Sequence, residues 1–128
     1  MNIRRELICT ARQAYADRLF AATSGNLSIF DRVEGKIYIT PGSFPYEQMT
    51  EADAMVIDLD GNVLEGDARP SSELKLHLCV YRHNALAQAA VHAHTIAATA
   101  DGYEPVVEEI VAEGEAARTL KLRLKKGR

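Results

Sequence analysis

His92-Ala93-His94 is the pattern in this sequence best suited to holding a metal ion. In an extended strand, side chains two residues apart share a face, so both imidazoles can reach one cation. Neutral imidazole suits zinc and other borderline divalent ions. The same pair can equally do no more than hydrogen-bond at a strand end. Glu73 is the second candidate. Beside a metal its carboxylate can act as general acid and base, or fill an open coordination position until substrate arrives. In the first turn of a helix it can instead be an ordinary capping glutamate, favoured there by the helix dipole. His77 follows one helical turn later and shares that face, as a partly exposed structural histidine or as a partner of the metal-binding groups. Arg82 and His83 fall at a helix end, where positive charge complements the dipole, and receive no catalytic role.

Three short segments are rich in small hydroxyl and amide groups: Ser24-Gly25-Asn26, Thr40-Pro41-Gly42-Ser43 and Ser71-Ser72. Backbone N–H groups and hydroxyls in such turns can surround a phosphate without lysine or arginine. Each is also what an ordinary turn looks like.

The elements that must position these residues follow from periodicity. Over residues 2–20, Ile3, Leu7, Ile8, Ala11, Tyr15 and Leu19 form one apolar stripe of a helix. Leu27-Ser28-Ile29-Phe30 and Lys36-Ile37-Tyr38-Ile39 read as a hairpin around a polar loop ending in Gly35. Residues 54–59 form another strand, and Asp60-Gly61-Asn62 turns it toward Val63-Leu64. Pro70-Ser71-Ser72-Glu73 opens a second helix with a serine as cap and Leu74, Leu78 and Tyr81 on its apolar side. Residues 89–94 are short and apolar, as in a buried strand. Beyond Ala100, residues 106–117 are acidic and expected to be helical, and Leu120, Leu122 and Leu124 alternate with basic residues as in an edge strand.

At 128 residues, 47% hydrophobic and 26% charged, the chain fits one modest core and is far from disorder. A net charge of −3 excludes the strongly basic footprint of a nucleic-acid binder. No apolar run reaches bilayer length, and no apolar leader follows the first residues, so a soluble, unexported protein without membrane partners is expected. Cys9 and Cys79 make no CxxC pair and no disulfide framework. Both sit in helical patterns beside apolar residues, which suggests buried thiols in a reduced cytoplasm.

Taken in order, TSGNLSIFD, ITPGSFPYEQMTEADAMVIDLDGNVLEG, RPSSELKLHLCVYRHN and AVHAHTIAATA resemble the class II aldolase/adducin family over about residues 7–100, with residues 101–128 divergent within one domain. The resemblance implies an α/β fold of three layers, with a central, mainly antiparallel sheet flanked by helices and shortened at the C-terminus. It also implies a homo-oligomer, usually a tetramer. His92 and His94 match two of three zinc-binding histidines, and Glu73 matches the acid/base glutamate, which also touches the metal in the resting enzyme. Asn26, Ser43, Ser71 and Ser72 match positions around the substrate phosphate, with Gly25, Thr40 and Gly42 in the loops that shape it. The chemistry implied is retro-aldol cleavage of a small sugar phosphate such as fuculose 1-phosphate, with Zn2+ or another divalent ion as Lewis acid for an enediolate. Two departures stand out. The family reads Thr-Pro-Ser/Thr-Gly where this chain has Thr40-Pro41-Gly42-Ser43, and no histidine follows His94. The second departure keeps an alternative open, a non-catalytic member like the adducin head domain, used for assembly or ligand binding.

Overall fold

The structure, a computed structural model, describes residues 2–67, 69, 71, 73–98 and 106–113, with residues 94–98 and 106–113 described by backbone alone. Helix α1 spans Ile3–Ala16, and the Asn2 side chain caps it by accepting from the Arg5 N–H at 3.2 Å. Leu7, Ile8 and Ala11 are buried on its apolar stripe. The helix stops before residue 20 because Asp17 ends it and Arg18 turns left-handed at φ 63. Leu19 is therefore 49% exposed, and Phe20 takes the buried place instead.

The strands are β1 (Asn26–Asp31), β2 (Lys36–Ile39), β3 (Met55–Ile57), β4 (Val63–Glu65), β5 (Ala89–Ala98) and β6 (Val106–Glu113), with helix α2 (Leu74–His83) between β4 and β5. They form one sheet in the order β4-β3-β2-β1-β5-β6, antiparallel at every pairing. The β1–β2 hairpin closes on Asp31, whose Oδ1 accepts from the N–H groups of Val33 and Glu34. Two 3₁₀ turns, Tyr46–Gln48 and Glu51–Asp53, lead from β2 into β3.

Strand alternation divides the apolar residues between two faces. Phe30, Ile37, Ile39, Met55, Ile57 and Ala90 pack with Leu78, Val80 and Tyr81 of α2. Leu27, Ala93 and the partly buried Ile29, Tyr38 and Val91 pack instead with Leu7, Ile8 and Ala11 of α1. A helix thus covers each face of the sheet, giving the three expected layers. Each fully buried Ile or Leu stabilises this arrangement by about 1.5–3 kcal/mol.

Arg32 holds α2 and β5 to the hairpin. Its guanidinium donates to the carbonyls of Asn84 at 2.8 Å and Ala87 at 2.9 Å and lies 4.6 Å over the Phe30 ring. No described helix is long and apolar enough to cross a membrane.

Two expectations are corrected. Residues 106–113 are a strand and not a helix, paired along β5 from Ala98↔Val106 to Ala90↔Glu113. Val106, Val107, Ile110 and Val111 are β-branched, and β5 offers them an open edge, which outweighs a spacing that also suits a helix. Cys9 and Cys79 are exposed rather than buried, because each lies a step around its helix from the apolar residues beside it in sequence. The edge strand expected around Leu120 lies outside the described residues.

Candidate active site

β1 and β5 place Asn26 opposite His92 in an antiparallel register. Both are on the face covered by α2, since Phe30 and Ala90, at even spacing from them, pack against that helix. On α2 the residues Glu73, His77 and Tyr81 recur every four positions, one above the other on the face turned to the sheet. One helix stripe and two strand positions therefore meet at a single patch.

Glu73 occupies the N-cap position of α2, yet its carboxylate makes no capping hydrogen bond. Instead its Oε2 lies 3.9 Å from Nδ1 of His92. Ser71 does the local capping, its Oγ accepting from the Glu73 N–H at 3.2 Å. The Glu73 side chain is 36% exposed and His92 is buried, so a solvent-accessible carboxylate meets a fixed imidazole.

The Asn26 and Ser71 segments meet at this patch, and the Thr40–Ser43 loop is tied to β1 and to Arg69. Asn26 Nδ2 donates to Ser71 Oγ at 2.8 Å, and the Gly42 N–H donates to the Arg69 carbonyl at 3.3 Å. Thr40 is fully buried, and its Oγ1 accepts from the Leu27 N–H at 3.1 Å, so its hydroxyl ties β2 to β1. Gly25 has φ +80, and a Cβ there would lie 2.8 Å from Cε1 of Phe20 and 3.0 Å from the His92 carbonyl. Only glycine fits both constraints. In the Thr40-Pro41-Gly42-Ser43 loop the left-handed residue is Ser43, at φ 53, while Gly42 does not have positive φ. The left-handed turn of this loop thus falls on its last residue, a serine. Ser72 lies outside the described residues, as does the side chain of His94, whose backbone continues β5.

His77 departs from expectation. It is buried, not partly exposed. Its Nε2 contacts Asn26 Oδ1, and its Nδ1 is 2.6 Å from Ser28 Oγ, which is itself 2.7 Å from the Tyr81 hydroxyl. Burial, with the neighbouring His92 second, lowers the His77 pKa to about 4, so the ring is neutral at pH 7. Burial also raises Tyr81 to about 12, keeping its hydroxyl protonated. Ser28 and Tyr81 are linked residues that the sequence reading missed. The signal was present as the spacing of four from Glu73 and the spacing of two from Asn26. Tyr46 was missed as well. It is buried against Phe20, and its hydroxyl donates to the carbonyls of Gly25 at 2.6 Å and Ser24 at 3.0 Å, which fixes the loop entering β1.

The expected donors fit a divalent ion in kind. Two ligands of one tetrahedral zinc lie about 3.4 Å apart, and His92 Nδ1 and Glu73 Oε2 are 3.9 Å apart, somewhat wider than that. The chain has four histidines, of which His77 is engaged by Asn26 and Ser28 and His83 lies at the far end of α2, beside the Cys79 carbonyl. His92 and His94 are the remaining two, and with Glu73 they are the candidate two-nitrogen, one-carboxylate set. Among the described residues no three His, Cys, Asp or Glu groups gather, the His94 side chain being outside them.

Residues 5–119 match the family model described as Class II Aldolase and Adducin N-terminal domain, and the chain belongs to that family. It is 37% identical over 92 residues to 5-deoxy-D-ribulose 1-phosphate aldolase of Bacillus thuringiensis serovar kurstaki, covering 72% of this chain and 43% of that protein. Among solved structures it is similar to an L-fuculose 1-phosphate aldolase with a TM-score of 0.69 and 39% identity, covering 73% of this chain and 44% of the other. It is also similar to the L-fuculose-1-phosphate aldolase of Thermus thermophilus, with a TM-score of 0.60 and 30% identity, covering 73% and 46%. The chain spans less than half the length of each of these relatives.

Proposed function

We infer that this chain carries the metal and phosphate ends of a class II aldolase site and takes part in retro-aldol cleavage of a small sugar phosphate such as fuculose 1-phosphate. The observation that carries this reading is the approach of Glu73 Oε2 to His92 Nδ1 at 3.9 Å, beside the Asn26–Ser71 pair. His92, His94 and Glu73 would hold the ion, zinc first among divalent candidates. When bound, it supplies a Lewis acid for the substrate's carbonyl oxygen. Asn26, Ser71 and Ser72, with the loops of Gly25 and of Thr40, Gly42 and Ser43, hold the phosphate and so fix the reacting carbons. As the carbon–carbon bond breaks to an aldehyde and an enediolate, the proton of the hydroxyl that becomes the aldehyde oxygen would pass to solvent, and Glu73, protonated from solvent, would deliver a proton to the enediolate carbon. Its partly exposed position lets it exchange that proton with solvent. Cytoplasmic placement and assembly as a homo-oligomer belong to the same reading.

The two-histidine donor set favours one other reading, a non-catalytic member kept for assembly or ligand binding. Aldehyde release from fuculose 1-phosphate in the presence of zinc distinguishes them. Glu73→Gln is expected to lower the rate by about 100-fold or more without changing the melting temperature. An unaltered rate removes Glu73 from the mechanism, and zinc-reconstituted protein without turnover leaves the binding member.

A further inference from the structure

A file of five side chains runs from the core to the candidate site: Tyr81, Ser28, His77, Asn26 and Ser71. Its hydrogen bonds can be assigned one after another. Asn26 Oδ1 can only accept, so the proton of the neutral His77 ring is on Nε2. Nδ1 is then an acceptor, and the Ser28 hydroxyl donates to it across 2.6 Å. Ser28 has no second proton, so the Tyr81 hydroxyl donates to Ser28 across 2.7 Å. At the other end, Asn26 Nδ2 spends one N–H on Ser71 Oγ, which also accepts from the Glu73 N–H. What remains at the open end is the second N–H of Asn26 and the O–H of Ser71, neither bonded to another described residue. Both are donors.

We propose that His77 is a positioning residue which, by occupying Asn26 Oδ1, makes the Asn26–Ser71 cradle a donors-only surface, selective for an acceptor-only group such as a phosphate dianion. The proposal rests on the reading of Asn26 and Ser71 as the phosphate end of the site. Without the His77 N–H, the Asn26 amide is free to rotate by half a turn and present its carbonyl oxygen, which repels an anion.

The test has two arms. Proton–nitrogen NMR of the 128-residue wild-type chain at neutral pH reports the His77 tautomer. Nε2–H is expected, and Nδ1–H overturns the assignment whatever the ligand. The second arm is calorimetric titration with inorganic phosphate. His77→Leu is expected to bind about tenfold more weakly. His77→Gln, whose amide can donate to Asn26 and accept from Ser28, stays within about threefold of wild type. Tyr81→Phe disturbs the core end of the file but leaves the Nε2–H in place, so it binds as wild type does. If His77→Leu does not fold, the glutamine variant and the tautomer decide. Loss of binding in Tyr81→Phe equal to that in His77→Leu, or a folded glutamine variant as weak as the leucine one, overturns the proposal. Phosphate binding lost in Asn26→Ala but kept in His77→Leu overturns it alone. Wild-type protein that takes up no phosphate removes the cradle as well.

Discussion

Asn26 and His92 face each other across β1 and β5, and the loop that delivers Asn26 runs hard against the His92 backbone. A residue proposed to bind phosphate and a candidate metal ligand are thereby held in one pair of strands. Gly25 makes this approach possible. Gly25→Ala forces a Cβ to within 3.0 Å of the His92 carbonyl and into the Phe20 ring, at a φ of +80. A loss of about 2–4 kcal/mol in urea unfolding is expected. A loss below about 1 kcal/mol would mean that the loop does not hold this conformation.

Ser43 makes the opposite prediction. Its left-handed φ of 53 costs a side-chain-bearing residue about 1 kcal/mol or more. Ser43→Gly is therefore expected to raise stability by about 0.5–1 kcal/mol, read as a rise of a few degrees in melting temperature. A lower melting temperature would show that the Ser43 hydroxyl makes a contact worth more than the strain.

Arg32 is expected to matter for stability alone. Arg32→Ala removes the donors that close the end of α2 onto β1 and should cost about 1–2 kcal/mol, with phosphate binding unchanged. Arg32→Lys should restore less than half of that, since an ammonium cannot reproduce the fork. Equal stability of the lysine variant and wild type would contradict the bonding described.

Stability should also depend on pH through His77. Burial lowers its folded pKa from 6.5 to about 4. Between those values the unfolded chain binds a proton that the folded chain does not, so stability is complete above about 6.5 and declines as pH falls toward 4. The decline attributable to this group is on the order of 3 kcal/mol. His77→Gln, which does not titrate, should show a correspondingly shallower fall when unfolding is measured at neutral pH and near pH 4. The same fall in both proteins would assign it to other groups.

Much of this arrangement was legible in the residue pattern. The alternation in Leu27-Ser28-Ile29-Phe30 and in residues 89–94 sets the strand faces, and Glu73 falls at a helix start, so the approach of Glu73 to His92 follows from period and topology. What stayed hidden depended on pairing. Nothing local in residues 106–113 says that the edge of β5 is open to receive them, and their spacing suits either period. The burial of His77, expected to be partly exposed, is not legible locally because its partners, Asn26 and Ser28, lie 51 and 49 positions earlier in the chain. Cys9 and Cys79 are exposed although apolar residues flank them, because adjacency in sequence is not adjacency on a helix face.

Two imidazoles of β5 and the carboxylate heading α2 are expected to take up one divalent ion. Zinc content of the purified, zinc-reconstituted chain, measured by elemental analysis beside folded His92→Ala and His94→Ala variants, tests it most directly. The expected result is about one zinc per wild-type chain and little in either variant. Zinc retained at the wild-type level by folded His92→Ala would contradict the claim.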